Sequence, residues 1–542
     1  MTVELSPAEV LALYPDHDHT VPSLLETRRA VARERPALQF GERIWTFDML
    51  SAATGLLARA LAKRGNRKGD AIALVSTNSD LCVLVFLAAA RLGAIFVPLN
   101  PQATDAELEY LLKHCGATDI VCQPADVARV ANVAAALASA PRLMNLDELG
   151  AAANDAAGVT SRLQSLASGL ADAAFTNVAA DDALVVIYTS GTTGYPKGVV
   201  HTHRTYVLAA EAFVERQYLQ PSDRLLAVLP FFHINALFYS LGGALAAGAT
   251  LITTRAFSAS AFWNLAAATR ATQVNFLAAV GNILAKRARS EFNAAHCIRK
   301  IYGGPLSAEL RDVFQREFHV PVLIDGYGMT EIPGTSSNPF HGPHRMPSIG
   351  RPAVHPRFAG DFVAMRVEDD TGRVVPNGEV GELVVKTPIL FKEYLHDAAQ
   401  TAASFRDGWF LTGDLVRADE DGFFTFVARK KDIIRKRGEN ISGAELDRIV
   451  STHPDLLEAA AIGVPSELGE EEIMIVAVAK PDARADPREI VAWCRGHLAP
   501  MKVPRFVVLV DSLPHTPSHR VAKHRLKHDV ELRQRAFDAE RD

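Results

Sequence analysis

A turn rich in glycine and hydroxyl side chains, closed by a lysine, is the stretch of this chain with the plainest chemical capacity. It lies in LVVIYTSGTTGYPKGVV (184–200), where a buried β run feeds Thr189, Ser190, Gly191, Thr192, Thr193, Gly194 and then Lys197. Small residues let backbone N–H groups turn toward an anion, hydroxyls add donors, and a lysine supplies charge to a polyphosphate. The Walker pattern is absent, because Gly191, Gly194 and Lys197 are followed by Gly198 instead of completing GxxxxGK[ST]. On composition alone an ordinary surface turn explains the segment equally well.

The surrounding elements must hold such a loop. Residues 45–65 place Leu50, Ala53, Leu56, Leu57, Ala60 and Leu61 on one helical face, and 71–76 (AIALVS) reads as a short buried strand. LCVLVFLAAARLG and AIFVPLN repeat that order, which predicts layered α/β structure with partly parallel sheets. The alanine-rich stretch 123–183 predicts helix plus a mobile connection. After residue 375 turn-punctuated β runs dominate, and the tail, with AIGVP, IMIVAVAK, REIVAWCRGHL and FVVLVDSL, reads as a small α+β domain. A boundary is placed near Lys431, in the basic run ARKKDIIRKRGEN. The uncharged stretch between Arg224 and Arg255 is long enough to cross a bilayer. Pro230, His233 and Asn235 interrupt it, however, and no basic flank frames it, so a buried helix and strand are expected.

Bulk properties narrow the partners. The 542 residues suffice for two to four domain-sized units. The net charge of −5 gives no basic surplus for nucleic acid or anionic lipid. The five scattered cysteines form no CxxC pair. Residues 1–30 carry Glu4, Glu9, Asp16, Asp18 and Glu26 without an unbroken apolar run, which argues against a secretory signal. A cytoplasmic enzyme acting on small molecules is expected, with pairing of two copies left open.

The loop is one of an ordered series of motifs. Gly69-Asp70, VPLNP (97–101), PFFH (230–233), YGGPLS (302–307), YGMTE (327–331), GEL (381–383), TGDL (412–415) and RKKD (429–432) follow in turn over nearly the whole chain. The series resembles the acyl-adenylate-forming, AMP-binding superfamily, and its acyl-CoA synthetase branch in particular. The resemblance implies a large multi-subdomain N-terminal domain (1–430) of layered α/β sheets with a β-rich subdomain. A small mobile α+β domain (431–542) follows, with its hinge near Lys431. It also implies ATP, Mg²⁺ and coenzyme A: a carboxylate is activated as acyl-AMP with release of pyrophosphate, and a thiol then displaces AMP.

Roles follow by position. Tyr327 offers a flat face for adenine, Gly303, Gly304 and Pro305 a close-packed second wall, and Asp325 an acceptor for the exocyclic amine; a core tyrosine is the alternative for Tyr327. Gly328 and Met329 lead to Thr330, implied to contact phosphate, and Glu331, implied to hold Mg²⁺, with Thr189 a second metal candidate. The resemblance gives Asp414 the ribose hydroxyls, with Arg429 in support. After rotation of the small domain, Arg435 and Gly438 are implied to face the thiol tunnel, where a side chain at 438 would obstruct pantetheine.

The tail departs from the family pattern PxTxxGK. LPHTPSHRVAKHRL puts His519 at the glycine position and Arg520 at the lysine position. Arginine keeps the charge but is bulkier and planar. Three readings stand: Arg520 takes the role, Lys523 takes it, or adenylation is impaired. His233 borders the expected acyl pocket or is a packed core residue; Asn235, and Asn282 in 276–286, admit a polar substituent beside small residues that suit an aliphatic or alicyclic chain. Asp511-Ser512-Leu513 imitates a carrier attachment triplet, but too little chain follows to build a carrier, so free coenzyme A is favoured. His515, His519, His524 and His528 lack an acidic or cysteine companion in sequence, which argues against a metal site. The competing functions are an acyl-AMP ligase that loads a separate carrier protein and a nucleotide-binding protein without adenylation.

Overall fold

A computed structural model describes residues 4–168, 177–189, 196–436, 439–466, 470–481, 483–515 and 521–541. It comprises two compact units, Met1–Ala364 with Lys386–Phe405, and Met365–Val385 with Arg406–Asp542.

Two large sheets organise the first unit. One runs in the order Glu393–Tyr394, Lys197–Thr202, Ala183–Thr189, Ile95–Leu99, Ala71–Val75, Ala117–Cys122, Arg142–Asn145. Its centre is parallel, with Ala71–Val75 between Ile95–Leu99 and Ala117–Cys122. That explains why this strand is apolar at every position, since a parallel strand covered on both faces has no solvent side. The helix Asp80–Leu92 is likewise apolar nearly all round, capped by the Ser79 hydroxyl and closed by Gly93 at φ 73°. A cap contributes about 1 kcal/mol, whereas each fully buried Leu or Phe such as Leu84 and Phe86 contributes about 1.5–3, so packing governs this element.

The second sheet has nine strands, with Val322–Met329, Lys300–Gly303, Gln273–Asn275, Arg224–Ala227 and Thr250–Thr253 at its centre. The uncharged stretch 224–255 supplies two of these strands, a π-helix Asn235–Gly242 and the helix Gly243–Ala247. Among the described residues no helix is long and apolar enough to cross a membrane. The alanine-rich stretch forms the helices Val127–Ala135 and Ala156–Ala167; the connection expected after them falls partly at 169–176, outside the described residues.

The second unit contains antiparallel strands Val380–Lys386, Trp409–Ala418 and Phe424–Arg429. It also holds a four-stranded sheet built on Leu456–Pro465 and Glu471–Ala479, with the helices Gly443–Val450 and Pro487–His497. The compact units therefore do not divide at Lys431. The reason is local: Gly443–Val450 packs on Phe424–Arg429, and the Ser442 hydroxyl donates to the Val427 carbonyl at 3.1 Å, which ties the tail to the hairpins before it.

Candidate active site

In the first unit the phosphate-loop hairpin is fixed by its strands. Thr189 lies directly opposite Lys197, and Tyr188 opposite Gly198. The turn they bracket, with Ser190, Gly191, Thr192, Thr193 and Gly194, lies outside the described residues, as do Gly438, His519, Arg520 and the Lys431 side chain. The Lys197 ammonium sits 5.1 Å from the centre of the Tyr394 ring. The Tyr394 hydroxyl donates to Glu331 Oε1 at 2.8 Å. Burial, with the Glu331 charge acting in the same direction, raises the Tyr394 pKa, so the group remains a phenol and a donor. The segment carrying it is stitched on both sides: Phe391 N–H donates to the Glu331 carbonyl at 2.8 Å, and Leu395 N–H to the Gly198 carbonyl at 2.8 Å. Tyr394 thus bridges the lysine and the glutamate.

Thr330 and Glu331 occupy the tip of a tight hairpin in which Met329 pairs with Ile332 and Tyr327 with Ser336. Behind it, fully buried His201 approaches the Thr330 carbonyl through Nε2 at 2.7 Å and the Thr205 hydroxyl through Nδ1 at 3.2 Å. Burial lowers its pKa to about 4. The ring is therefore neutral near pH 7, and because a carbonyl only accepts, its proton resides on Nε2.

The second wall forms where Gly303 pairs with Asp325 across parallel strands. A Cβ at Gly303 would lie 2.6 Å from the Phe276 carbonyl oxygen, so backbone approach requires glycine there. Asp325 is buried, accepts from Leu306 N–H at 2.8 Å and forms an ion pair with Arg311. It thereby holds the end of the Gly303–Pro305 turn at Leu306. Tyr327, Gly328, Thr330, Gly304, Pro305, Thr189 and Lys197 all keep some exposure, whereas Asp325, Glu331, Tyr394 and His201 are buried. Accessible groups stand on buried supports.

His233 and Asn235 are half-buried at the start of the π-helix. Asn78 fixes the turn before them, donating to the Leu229 carbonyl at 2.8 Å and accepting from Phe231 N–H at 2.9 Å. In the helix Ala278–Lys286, Gly281 and Leu284 point inward and Asn282 is exposed.

In the second unit Asp414, almost fully buried, pairs in register with Arg429, whose Nε lies 3.1 Å from its Oδ1. Glu382 of GEL accepts from Gly413 N–H at 3.0 Å, and its other oxygen meets Lys430 Nζ at 3.1 Å. Three motifs separated in sequence thereby become one polar cluster. Lys523 Nζ is held 2.6 Å from Asp447 Oδ2, and Asp447 Oδ1 accepts from Ala461 N–H at 2.6 Å. The lysine weighed as a replacement for the tail-motif lysine is thus committed to a local ion pair. Arg435 lies in the hairpin Ile433–Lys436 with Glu439–Ser442, opposite Asn440, and its N–H donates to Glu471 at 2.9 Å. His515 meets Glu458 at 3.0 Å, an acidic neighbour the sequence did not reveal. No group of three ligands for a metal ion occurs among the described residues.

Tyr394, Arg311 and Asn78 escaped the sequence reading because their partners are distant; Tyr394 and Glu331 are 63 positions apart. His201 left a signal, since a histidine in the buried run VVHT needs a polar partner.

Residues 25–395 match the AMP-binding enzyme family, and 445–520 match the AMP-binding enzyme C-terminal domain. The chain belongs to the AMP-binding enzymes, and within them to the AMP-forming acid–thiol ligases that make acyl-CoA. It is 32% identical over 482 residues to the long-chain-fatty-acid–CoA ligase FadD13 of Mycobacterium tuberculosis, covering 88% of this chain and 92% of that protein. A crotonobetaine/carnitine–CoA ligase of Escherichia coli is 31% identical over 470 residues, 85% of this chain and 89% of its own. Among solved structures, ATP-bound MatB from Rhodopseudomonas palustris superposes with TM-score 0.81 at 28% identity, covering 93% of this chain and 98% of that one. The o-succinylbenzoate CoA synthetase (MenE) of Bacillus subtilis, in complex with its acyl-adenylate OSB-AMP, gives 0.80 at 26%, covering 93% and 97%.

Proposed function

We propose that the chain is an ATP-dependent acyl-CoA ligase in which Lys197, Thr330, Glu331 and Tyr327 of the first unit serve the phosphates, the metal and the adenine, and Asp414 and Arg429 of the second serve the ribose. The observation that carries the assignment is the Lys197–Tyr394–Glu331 bridge, which fixes one cation and one carboxylate at the rim of the phosphate-loop hairpin. The substrate carboxylate attacks the α-phosphorus of ATP, forming a P–O bond as the bond to pyrophosphate breaks. A thiol then attacks the acyl carbon and AMP leaves. The protein does little covalent work in either step, so orientation and charge neutralisation supply the rate.

Each assigned residue has a task its chemistry suits. Tyr327 and the Gly303-Gly304-Pro305 turn bracket the adenine, and Asp414, with two acceptor oxygens, takes the ribose hydroxyls beside Arg429. Lys197, with the loop residues Ser190 to Gly194, meets the phosphates. Glu331 is suited to a magnesium ion carried mainly by phosphates, because such an ion needs only one or two protein ligands and Tyr394 fixes the carboxylate in place. Bound there, magnesium would neutralise phosphate charge. Arg520 is assigned the substrate carboxylate, which the Lys523–Asp447 pair favours by occupying the alternative lysine. Lys431 as hinge, Arg435 and Gly438 at the thiol passage, and a cytoplasmic location belong to the same reading.

The acid is open, since the relatives' names span long-chain fatty acids, crotonobetaine/carnitine and o-succinylbenzoate. The deciding experiment incubates the full chain with ATP, Mg²⁺, coenzyme A and a broad panel of carboxylic acids, following AMP and thioester together. Acid-dependent AMP with stoichiometric thioester is expected; AMP from no acid on the panel would overturn the proposal.

A further inference from the structure

Arg216, at the C-terminal end of the helix His203–Gln217, is 4% exposed. Its Nη2 donates to the Gly334 carbonyl at 2.5 Å, while its Nη1 is buried without a hydrogen-bond partner. No carboxylate lies within ion-pair distance of it among the described residues. Its guanidinium carbon lies 5.8 Å from the ring centres of Phe213, Tyr239 and Tyr302 alike. Other deeply buried cations of this unit have acceptors on their terminal nitrogens: Arg43 meets Ala151 and Asp80, Lys300 meets Asp223 at 2.8 Å, and both terminal nitrogens of Arg28 are bonded. The nearby Glu211 is taken by His17 and His355, at 3.1 and 3.3 Å. Aromatic faces stabilise a cation, but they do not supply the acceptor that Nη1 lacks.

The surroundings of Arg216 are those of the site. Gly334 follows Glu331 by three residues, and Tyr302 immediately precedes Gly303-Gly304-Pro305. Tyr239 lies in the π-helix that begins at Asn235, whose Oδ1 is also buried without a donor. A Cβ at Gly326 would meet the Tyr302 hydroxyl at 2.0 Å, and one at Gly328 the Tyr239 hydroxyl at 3.0 Å, so the ring cage lies against the underside of the hairpin that ends in Thr330 and Glu331. Surroundings made for plain hydrocarbon have no use for a guanidinium nitrogen or an amide oxygen left without a partner.

We propose that Arg216 is a specificity-determining residue that receives a second carboxylate at the far end of the substrate, so that the acid activated here is a dicarboxylic acid. Nη1 supplies the donor, the guanidinium the charge, and the three rings exclude water around the pair. The inference rests on the acyl-CoA ligase reading above.

Matched acids of equal length provide the test: hexanoate against adipate, and octanoate against suberate, in ATP–pyrophosphate exchange by the full chain. The unaltered protein is expected to favour the diacid of a pair by about tenfold or more in kcat/KM. Arg216→Met is expected to lower kcat/KM for the diacid by about a hundredfold, mostly through KM, and to raise it for the monoacid. Arg216→Lys should fall between. Preference for monoacids in the unaltered protein, or an equal change for both acids in Arg216→Met, overturns the proposal. Should Arg216→Met not fold, the melting midpoint of the unaltered chain decides: a larger rise with suberate than with octanoate supports the site, and equal rises reject it. If no acid drives exchange, the ligase reading fails while the melting comparison still scores Arg216.

Discussion

The two units hold their candidate site residues in opposite ways. In the first, exposed groups rest on buried partners recruited from far along the chain: Lys197 on Tyr394, Thr330 on His201, the Gly303–Pro305 turn on Asp325 and Arg311. In the second, Lys430 braces Asp370 and Glu382 from the surface, and the less exposed Lys523 is held by Asp447. Buried supports lose little entropy when ligand arrives and hold geometry to fractions of an ångström. Exposed ion pairs contribute at most about 1 kcal/mol each and exchange partners readily. Buried supports of this kind suit a fixed arrangement, and exposed pairs suit exchange of partners.

The sharpest way to break that contrast is to remove a charge from the rigid half. Lys197→Met is expected to lower pyrophosphate exchange by about a thousandfold, the range for one preorganised electrostatic group, with the melting midpoint nearly unchanged. A loss under tenfold would place the phosphate charge elsewhere. Next come the two tail cations. Arg520→Ala should cost about a hundredfold in exchange, whereas Lys523→Ala should leave the rate within about threefold and destabilise the second unit by about 1–3 kcal/mol in urea titration, because Asp447 is left without its partner. A large rate loss at Lys523 with stability intact would restore it as the catalytic cation. For the hinge, Lys431→Pro should spare exchange and abolish thioester formation; equal loss of both would reject that role.

How far the sequence disclosed this arrangement follows the same division. Ordered motifs and apolar periodicity were sufficient for the layered sheets, for the buried β run that leads to Thr189, and for the turn-punctuated β runs after residue 375, since each is written in contiguous residues. Supports such as Tyr394 and Arg311 were hidden, because a side chain that acts across a fold carries no local signature. Asp325 shows both sides: its position beside YGMTE is legible in the sequence, while its contacts with Leu306 and Arg311 appear only in the folded chain.

A milder substitution sharpens the account of the rigid half. Tyr394→Phe keeps the ring beneath Lys197 and removes only the donor to Glu331. Exchange at saturating Mg²⁺ should fall about tenfold or less, with a higher Mg²⁺ requirement, as for loss of one hydrogen bond to a charged group. An unchanged Mg²⁺ titration would show that the phenol does not orient the glutamate.

The smallest expected effect at neutral pH belongs to His201, and it emerges on acidification. Its pKa falls from 6.5 to about 4 on burial, and His203, whose Nδ1 accepts from Val21 N–H at 3.2 Å, is lowered to about 4 by the same cause. In both the folded state disfavours the proton that the unfolded chain binds, so their stabilisation is present above pH 6.5 and is lost as pH falls toward 4. Each can account for up to about 3 kcal/mol across that window. His201→Gln should lower exchange only about threefold at neutral pH while flattening the fall of the melting midpoint between pH 6.5 and 4. An acid profile as steep as that of the unaltered protein would mean that His201 does not titrate on unfolding in this range, and the neutral ring holding Thr330 in place would have to be abandoned.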